Sequence, residues 1–140
     1  LRIRLGFPDH AAERALLRGE DRRDLLAELP AAITAAEFVE QQKHVLQMHV
    51  SDALLDYLQA LIAASRQDAR FIAGLSPRAG LGLMRVAQAW AYLAGRDFVQ
   101  PEDVQAVLPA LTPHRLFPAV GLVQPSDDWA ARVLLEVAIQ

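Results

Sequence analysis

The 140-residue sequence predicts an all-α fold: a small helical bundle with a short strand-like segment at the N-terminus and a helix near the C-terminus. Ala and Leu, both strong helix formers, dominate the composition. Aromatic residues make up only 6% and Ile and Thr are sparse, which disfavours a β-fold. Hydrophobic residues (53%) far outnumber charged ones (22%), so we expect one globular domain and not a disordered segment.

The first eight residues have a different pattern from the rest of the chain. Apolar side chains alternate strictly at Leu1, Ile3, Leu5 and Phe7, which is typical of a β-strand. No segment with a comparable pattern follows, and a lone strand cannot satisfy its backbone hydrogen-bonding groups. We therefore expect residues 1–8 to be a strand and hinge whose pairing partners belong to a preceding domain. The chain would then be a piece of a larger protein.

The remaining elements are predicted helices that begin behind capping residues. Asp9, Thr34, Ser51 and Ser76 each precede a helical pattern, and their side-chain oxygens can accept hydrogen bonds from first-turn N–H groups. Thr34 and Glu37 also match a capping box. The predicted helices span about residues 10–18, 35–47, 52–66, 77–94, 101–108 and 128–137, the last with a possible start one residue earlier.

The helix that begins after Ser76 is expected to be the centre of the bundle. Large apolar residues cover most of its circumference, so it should contact neighbours on several sides. These residues are Leu81, Leu83, Met84, Val86, Trp90 and Leu93. Prolines at 109 and 113 are expected to close off the helix that follows.

The best candidate for a functional site is the junction that leads into this central helix, from Gly74 to Gly82. Arg78 lies in the first turn, where free backbone N–H groups and the positive end of the helix dipole favour anions. Its planar guanidinium matches phosphate oxygens. Gly82 lies one turn further along and Arg85 two turns further, on the same face. Small residues there would let a large ligand or another domain approach closely.

Spacing alone also fits a simpler interpretation of this junction. Arg78 would then be a surface residue that opens a helix, and the glycines would permit tight helix packing. An arginine is electrostatically disfavoured in the first turn of a helix, and this favours a functional role somewhat.

Several motifs in this region resemble the C-terminal lid of MoxR-type AAA+ ATPases. That family shows an S-P-R-A motif, an Ala- and Leu-rich helix, and then a second motif, G-R-x-[YF]-V-x-P-x-D-[VI]. The sequence has Ser76-Pro77-Arg78-Ala79, and residues Gly95 to Val104 resemble the second motif. His49 to Tyr57 resembles the start of the preceding helix, and Pro113 to Leu116 matches an H-R-L ending. The resemblance covers residues 1 to about 117.

This resemblance implies a site. In the family, the arginine of S-P-R-A is the sensor 2 residue, so Arg78 would be the catalytic residue that contacts the terminal phosphate of ATP, and Ser76 and Pro77 would help to bind the nucleotide. Residues 1–8 resemble the family's strand and hinge, and Phe7 and Pro8 would line the adenine pocket. An ordinary turn after a strand fits Phe7 and Pro8 equally well. Whether Arg78 would serve the ATP of its own subunit or of a neighbour stays open.

The resemblance also implies cofactors, partners and domains. ATP and Mg²⁺ would be bound mainly by an N-terminal ATPase core, because the sequence has no G-x-x-x-x-G-K-[ST] loop, and the chain alone is not expected to hydrolyse ATP. Expected partners are that core, neighbouring subunits of a hexameric ring, and a client such as a metalloenzyme or a von Willebrand A-type protein, all in the cytoplasm. The strand and hinge would occupy residues 1–8, the lid 9–117, and a tail with a helix 118–140.

Composition disfavours several other function classes. The net charge of −3 argues against a nucleic-acid binder, including a helix-turn-helix protein. The absence of cysteine excludes thiolate metal sites, and His44 and His49 have the wrong spacing for one metal site on a helical face. No apolar run is long enough for membrane insertion. The alternative that remains is a free-standing helical module that grips a protein partner without nucleotide.

Overall fold

Six helices account for most of the residues that the computed structural model describes, namely 1–19, 26, 28–119, 126 and 128–139. Those ranges contain no strand and only two isolated bridges, between His49 and Phe98 and between Phe71 and Pro118. The predicted all-α fold is therefore confirmed. The helices are α1 (His10–Arg18), α2 (Ala35–Gln47), α3 (Asp52–Gln67), α4 (Pro77–Leu93), α5 (Pro101–Leu111) and α6 (Trp129–Leu134).

The helix starts lie where the capping residues predict them. Thr34 and Glu37 form both halves of a capping box: the Thr34 N–H donates to Glu37 Oε2 at 2.7 Å, and the Glu37 N–H donates to Thr34 Oγ1 at 3.2 Å. Asp9 and Ser51 each accept a hydrogen bond from the N–H three residues further on. These contacts are local, so the sequence around each start is enough to determine it.

The hydrophobic core is built mainly by α3, α4, α5 and α6. α4 packs against α2, α3 and α5, and its contact with α5 is the most extensive between the helices of the described ranges. α6 packs on α3 and α5 and contributes four buried residues to the same core. α1 and α2 contain no buried residue. The largest fully buried side chains are Leu61, Leu75, Leu83, Leu108, Leu111 and Leu134.

The central position of α4 is confirmed, but it buries different residues from those predicted. Apart from Leu83 and Gln88, its buried residues are all Ala or Gly, whereas Leu81, Trp90 and Leu93 are exposed. The small residues let neighbouring helices approach closely. A Cβ atom on Gly80 would lie only 2.5 Å from Ile62 Cδ1 on α3. Packing of the Ile62 side chain against Gly80 therefore favours a small residue on this face of α4, while the larger side chains lie on its exposed face.

Residues 1–9 form no strand within the described part of the chain. The predicted strand, whose pairing partners are expected in a preceding domain, stays a prediction. The side chains of Leu5 and Phe7 are almost fully exposed. The Arg2 N–H donates to the carbonyl oxygen of Ala110 in the last turn of α5 (2.7 Å). A strand requires a partner for its ladder of backbone hydrogen bonds, and the described residues provide none.

α5 and α6 end at different residues from those predicted. α5 continues past Pro109 to Leu111, because a proline in the last turn removes only the hydrogen bond to the carbonyl four residues before it. α6 ends at Leu134 and not at Val137. The N–H groups of Glu136 and Val137 bond to carbonyls three residues back, which tightens the chain into turns. A start at Asp127, the other possibility, lies outside the described residues.

A buried ion pair fixes the connection between α4 and α5. Gly95 adopts a positive φ of 75° just after α4. Arg96 then donates to the Asp103 carboxylate through both of its Nη atoms, with 2.6 Å between Nη1 and Oδ2. Asp103 is 2% exposed and also accepts the Gln100 N–H at 2.8 Å. The hydrogen bonds from Arg96 lower the pKa of Asp103 below its ordinary value, against the opposing effect of burial.

Replacing Asp103 with Asn should lower the free energy of unfolding by about 2–3 kcal/mol, because Arg96 would lose its counter-ion in a partly buried position. The pKa of Asp103 is lower in the folded than in the unfolded state. Its stabilisation is therefore complete above the unfolded pKa and is lost as the pH falls through the folded pKa. Urea unfolding of wild type and variant from neutral to strongly acidic pH measures this.

The matched control is Glu102→Gln, which removes the exposed carboxylate next to Asp103 and should change stability little at any pH. An Asp103→Asn variant as stable as the wild type at neutral pH would contradict the structural role of this ion pair.

Candidate functional site

The first turn of α4 brings three of the predicted site residues together. Ser76 is the N-cap, and its Oγ accepts the Ala79 N–H at 3.2 Å. Pro77 occupies the first helical position. Proline has no backbone N–H, and an N–H at this position would have no hydrogen-bond acceptor within the helix. Arg78 follows. Ser76, Pro77 and Arg78 are exposed, whereas Ala79 and Gly80 are buried, so the helix end presents these three residues to solvent while its next residues anchor it in the core.

Arg78 is an unpaired cation at the positive end of a helix. Within the described ranges its guanidinium has no hydrogen bond or ion pair, and no acidic residue occupies the first turn of α4. Some arginines are neutralised: Arg70, for example, contacts both Asp68 (2.7 Å) and Glu136 (2.9 Å), whereas the exposed Arg85 has no ion pair within these ranges either. The start of α4 therefore has an uncompensated positive potential. Such a potential, with a forked N–H donor at its centre, favours a phosphate or carboxylate oxygen.

The loop before α4 is held against the last turn of α3. The buried Ser65 hydroxyl donates to the Ile62 carbonyl at 2.7 Å and accepts the Leu75 N–H at 2.9 Å. The next residue, Arg66, donates through Nε to the Leu75 carbonyl, also at 2.9 Å. Both polar backbone groups of Leu75 are thus bound by two consecutive residues of α3. We call these three residues, Ser65, Arg66 and Leu75, the α3–α4 clip.

Gly74 allows this close approach. A Cβ atom at Gly74 would lie 2.4–2.6 Å from Cγ, Cα and N of Arg66, so a larger residue could not fit without moving the backbone of α3. Gly82 is different, because a Cβ atom there would have no neighbour within 4 Å. The glycines around Arg78 therefore have separate roles. Gly74 and Gly80 permit contact with α3, and Gly82 leaves an open surface one turn from Arg78.

An apolar groove runs between α3 and α4 and ends beside the site. It has a volume of about 670 Å³ and contains Pro77 at the end nearest Arg78. Neither Arg78 nor Ser76 lines it. Its remaining lining residues are Leu55, Leu58, Gln59, Ile62, Ala63, Arg66, Gly80, Leu81 and Met84.

The structure does not bring Phe7 and Pro8 to the start of α4. Both are exposed, and Phe7 is 100% exposed. Within the described ranges, no hydrogen bond or cavity joins either residue to Arg78. Their predicted place in an adenine pocket stays a prediction, because any such pocket would need surfaces from outside this chain.

Sequence reasoning missed Ser65 and Arg66, although the sequence contains a signal for the first. Leu54, Leu58 and Leu61 form the buried stripe of α3, and Ser65 continues that stripe one turn later. A hydroxyl in such a position must find hydrogen-bond partners, since a buried polar group without them is costly. Nothing local identifies Leu75 as the partner, because it lies ten residues away across a connection.

Two other kinds of site find no support in the described residues. They contain no group of three or more His, Asp or Glu side chains placed to bind a metal ion. None of their helices combines the length and the apolar character that a membrane crossing requires.

Comparison with known families identifies the region around α4. Residues 63–130 match the family model of the AAA lid domain. This range contains α4, α5 and the Arg96–Asp103 ion pair, together with the clip and the candidate site. The matched region and the structural core therefore largely coincide.

Two curated relatives each align with 82% of the chain. The protein YeaC of Bacillus subtilis is 30% identical over 115 residues, and the chaperone MoxR1 of Mycobacterium tuberculosis is 29% identical over 124 residues. The aligned regions are 36% and 32% of these two proteins. The chain therefore spans about a third of the length of the relatives that it matches.

A solved structure shows the same fold. A protein from Cytophaga hutchinsonii, provisionally named an ATPase, superposes with a TM-score of 0.79 over 96% of this chain and 44% of its own. The two sequences are 23% identical, so this likeness concerns the fold alone.

Substitutions at two glycines of the site should have opposite effects on stability. Gly74→Ala places a Cβ atom against the backbone of α3 and should destabilise the chain by about 1–3 kcal/mol. Gly82→Ala adds a methyl group in open space within a helix and should stabilise it by up to about 1 kcal/mol. Urea unfolding of both variants tests this. Equal effects of the two substitutions would show that the close approach at Gly74 does not constrain the loop.

Proposed function

The chain belongs to the AAA lid domain family through residues 63–130 and is related to the MoxR proteins; on this premise we propose that it is the nucleotide-sensing lid of a cytoplasmic, ring-forming ATPase. ATP and Mg²⁺ would be bound mainly by an ATPase core domain joined to this lid. Hydrolysis of the terminal phosphate would supply the free energy for remodelling a protein client.

One observation carries this proposal: Arg78 is an exposed guanidinium without a partner in the described ranges, held at the start of a central helix. Other exposed arginines such as Arg85 also have no partner in the same ranges, but Arg78 alone lies in the first turn of α4, where the free N–H groups favour an anion. A structural arginine contacts a carboxylate, as Arg96 does. The terminal phosphate of a nucleotide has three oxygen atoms that match the guanidinium fork. Arg78 would bind one of them and stabilise the charge that develops on it.

Ser76 and Pro77 would act by fixing the helix start beneath Arg78. The Ser76 oxygen accepts the Ala79 N–H and so caps the helix, while its O–H can still donate to a phosphate oxygen. Pro77 restricts the backbone at the first position. Phe7 and Pro8 would line the adenine pocket once the ATPase core lies against them, as their exposure permits.

Contact with the nucleotide would couple its state to the position of the lid. Because Arg78 is fixed to α4, and α4 packs on α2, α3 and α5, a pull on the guanidinium would move the bundle as a unit. We propose that this movement governs the assembly of a hexameric ring and the remodelling of a client, such as a metalloenzyme or a von Willebrand A-type protein. Arg78 would act on the ATP of its own subunit or of the neighbouring one.

A second candidate function is a helical interaction module that needs no nucleotide. The observation in its favour is an apolar cavity of about 470 Å³ between α2 and α4, near the exposed residues Phe38, Leu46 and Leu93. The two functions differ in their dependence on Arg78, which does not line this cavity.

Arg78→Ala in the natural protein that contains this chain should lower kcat for ATP hydrolysis on the order of 100-fold, because one donor to the developing charge is removed. Arg78→Lys keeps the charge but loses the fork, so it should recover only part of the rate. Steady-state hydrolysis measures both variants. Unfolding of the 140-residue chain by urea should show wild-type stability for each, since Arg78 is exposed and unpaired.

The matched control is Arg85→Ala, which removes an exposed arginine from the same helix two turns away. It should leave hydrolysis within about twofold of wild type. Unchanged hydrolysis in Arg78→Ala would refute the sensing role. Client binding that is independent of both nucleotide and Arg78 would favour the interaction module.

A further inference from the structure

We propose that Ser65 is a positioning residue for Arg78: its hydroxyl fixes the direction in which α4 presents the guanidinium. This inference rests on the proposed function, since it concerns the same site. It adds a residue on a different helix that does not touch the nucleotide.

The position of Ser65 is unusual for a serine. It is 1% exposed, continues the apolar stripe of α3, and is among the most deeply buried polar side chains of the described residues. A serine within a helix can satisfy its hydroxyl by donating to a carbonyl of the preceding turn, and Ser65 does so with Ile62 (2.7 Å). That bond leaves the oxygen free to accept, and the Leu75 N–H donates to it at 2.9 Å. The hydroxyl thus joins α3 to the loop.

The link to Arg78 is short and has few freely rotating bonds. Leu75 is fixed at its N–H by Ser65, at its carbonyl by Arg66, and at its side chain by burial in the core. Ser76 follows directly as the N-cap, and Pro77 restricts the next φ angle. Arg78 is therefore only three residues beyond Leu75, whose N–H and carbonyl are both held by α3. Loss of the Ser65 bond should let this start of α4 fray or rotate.

Such a displacement matters because charge stabilisation depends on geometry. A shift of about 1 Å in a group that contacts the reacting centre can cost a large factor in rate. An arginine side chain is long, so a small rotation at its backbone is amplified at the guanidinium. The buried hydroxyl of Ser65 therefore acts on hydrolysis through Arg78, without contact with the phosphate.

The first test does not involve nucleotide. Amide hydrogen exchange of the 140-residue chain should show the Leu75 N–H exchanging at least about 10-fold faster in Ser65→Ala than in wild type, because its acceptor is gone. Ser65→Thr keeps the hydroxyl and should keep most of the protection. Gln88→Leu is the control, since it removes another buried polar contact, from Nε2 to the Met48 carbonyl, ten residues beyond Arg78 on α4. It should leave Leu75 protected.

The second test is a double-mutant cycle on ATP hydrolysis in the natural protein. Ser65→Ala should lower kcat about 10-fold. In the Arg78→Ala background it should cause no further loss, because the group that it positions is already absent. Ser65→Thr should retain most of the rate, and Gln88→Leu should retain all of it within about twofold. If Ser65→Ala does not fold, Ser65→Cys takes its place, because its thiol has a similar shape but is a weak hydrogen-bond acceptor, and the same outcomes apply.

The results separate the two proposals. If Arg78→Ala leaves hydrolysis unchanged, the proposed function fails. Other results overturn only the positioning role of Ser65. They are that Arg78→Ala lowers kcat but Ser65→Ala leaves it unchanged, that Ser65→Ala lowers kcat further in the Arg78→Ala background, or that Gln88→Leu lowers kcat as much as Ser65→Ala.

Discussion

The arrangement of the site depends on one residue, Leu75, being held at both of its backbone polar groups. The N–H and carbonyl of Leu75 are bound by Ser65 and Arg66, two consecutive residues at the end of α3. The Gly74 backbone lies against α3 closely enough that no side chain would fit. These contacts fix the position of the start of α4 against α3. Because α4 is the helix on which α2, α3 and α5 pack, Leu75 relates the exposed arginine to the whole core.

The chain divides into a part that forms the core and a part that lies outside it. Every buried residue of the described ranges lies from Met48 onwards, and neither α1 nor α2 contributes one. The preceding residues nevertheless contain large apolar side chains that are exposed, including Phe7, Leu17 and Leu46. Exposed apolar side chains can contribute to a surface that contacts another protein or domain. The proposed movement of a lid relative to an ATPase core would need both a rigid body and such a surface.

Sequence reasoning succeeded where structure depends on local contacts. Thr34 with Glu37, and Ser76 with Pro77, determine helix starts through bonds that span three residues, and both starts were predicted. It failed where structure depends on partners distant in the sequence. The buried face of α4 was assigned to large residues such as Trp90, although close contact with α3 favours small ones.

The candidate site shows the same limit. Arg78 could be selected from its place in a first turn, and the resemblance to MoxR lids gave it a role. Its lack of a partner could not be predicted, because that depends on which carboxylates the fold brings near it. Ser65 escaped notice since its acceptor bond reaches across ten residues. The strand predicted at residues 1–8 stays a prediction, because a strand needs a partner and its partners are expected in a preceding domain.

The most direct test of the account is an experimental structure of the natural protein with Mg²⁺ and a non-hydrolysable ATP analogue. We expect a nitrogen of the Arg78 guanidinium to lie about 3 Å from an oxygen of the terminal phosphate, of its own subunit or of a neighbour, with the α3–α4 clip intact. An Arg78 that faces solvent or pairs with a carboxylate, while another cation holds that phosphate, would contradict it.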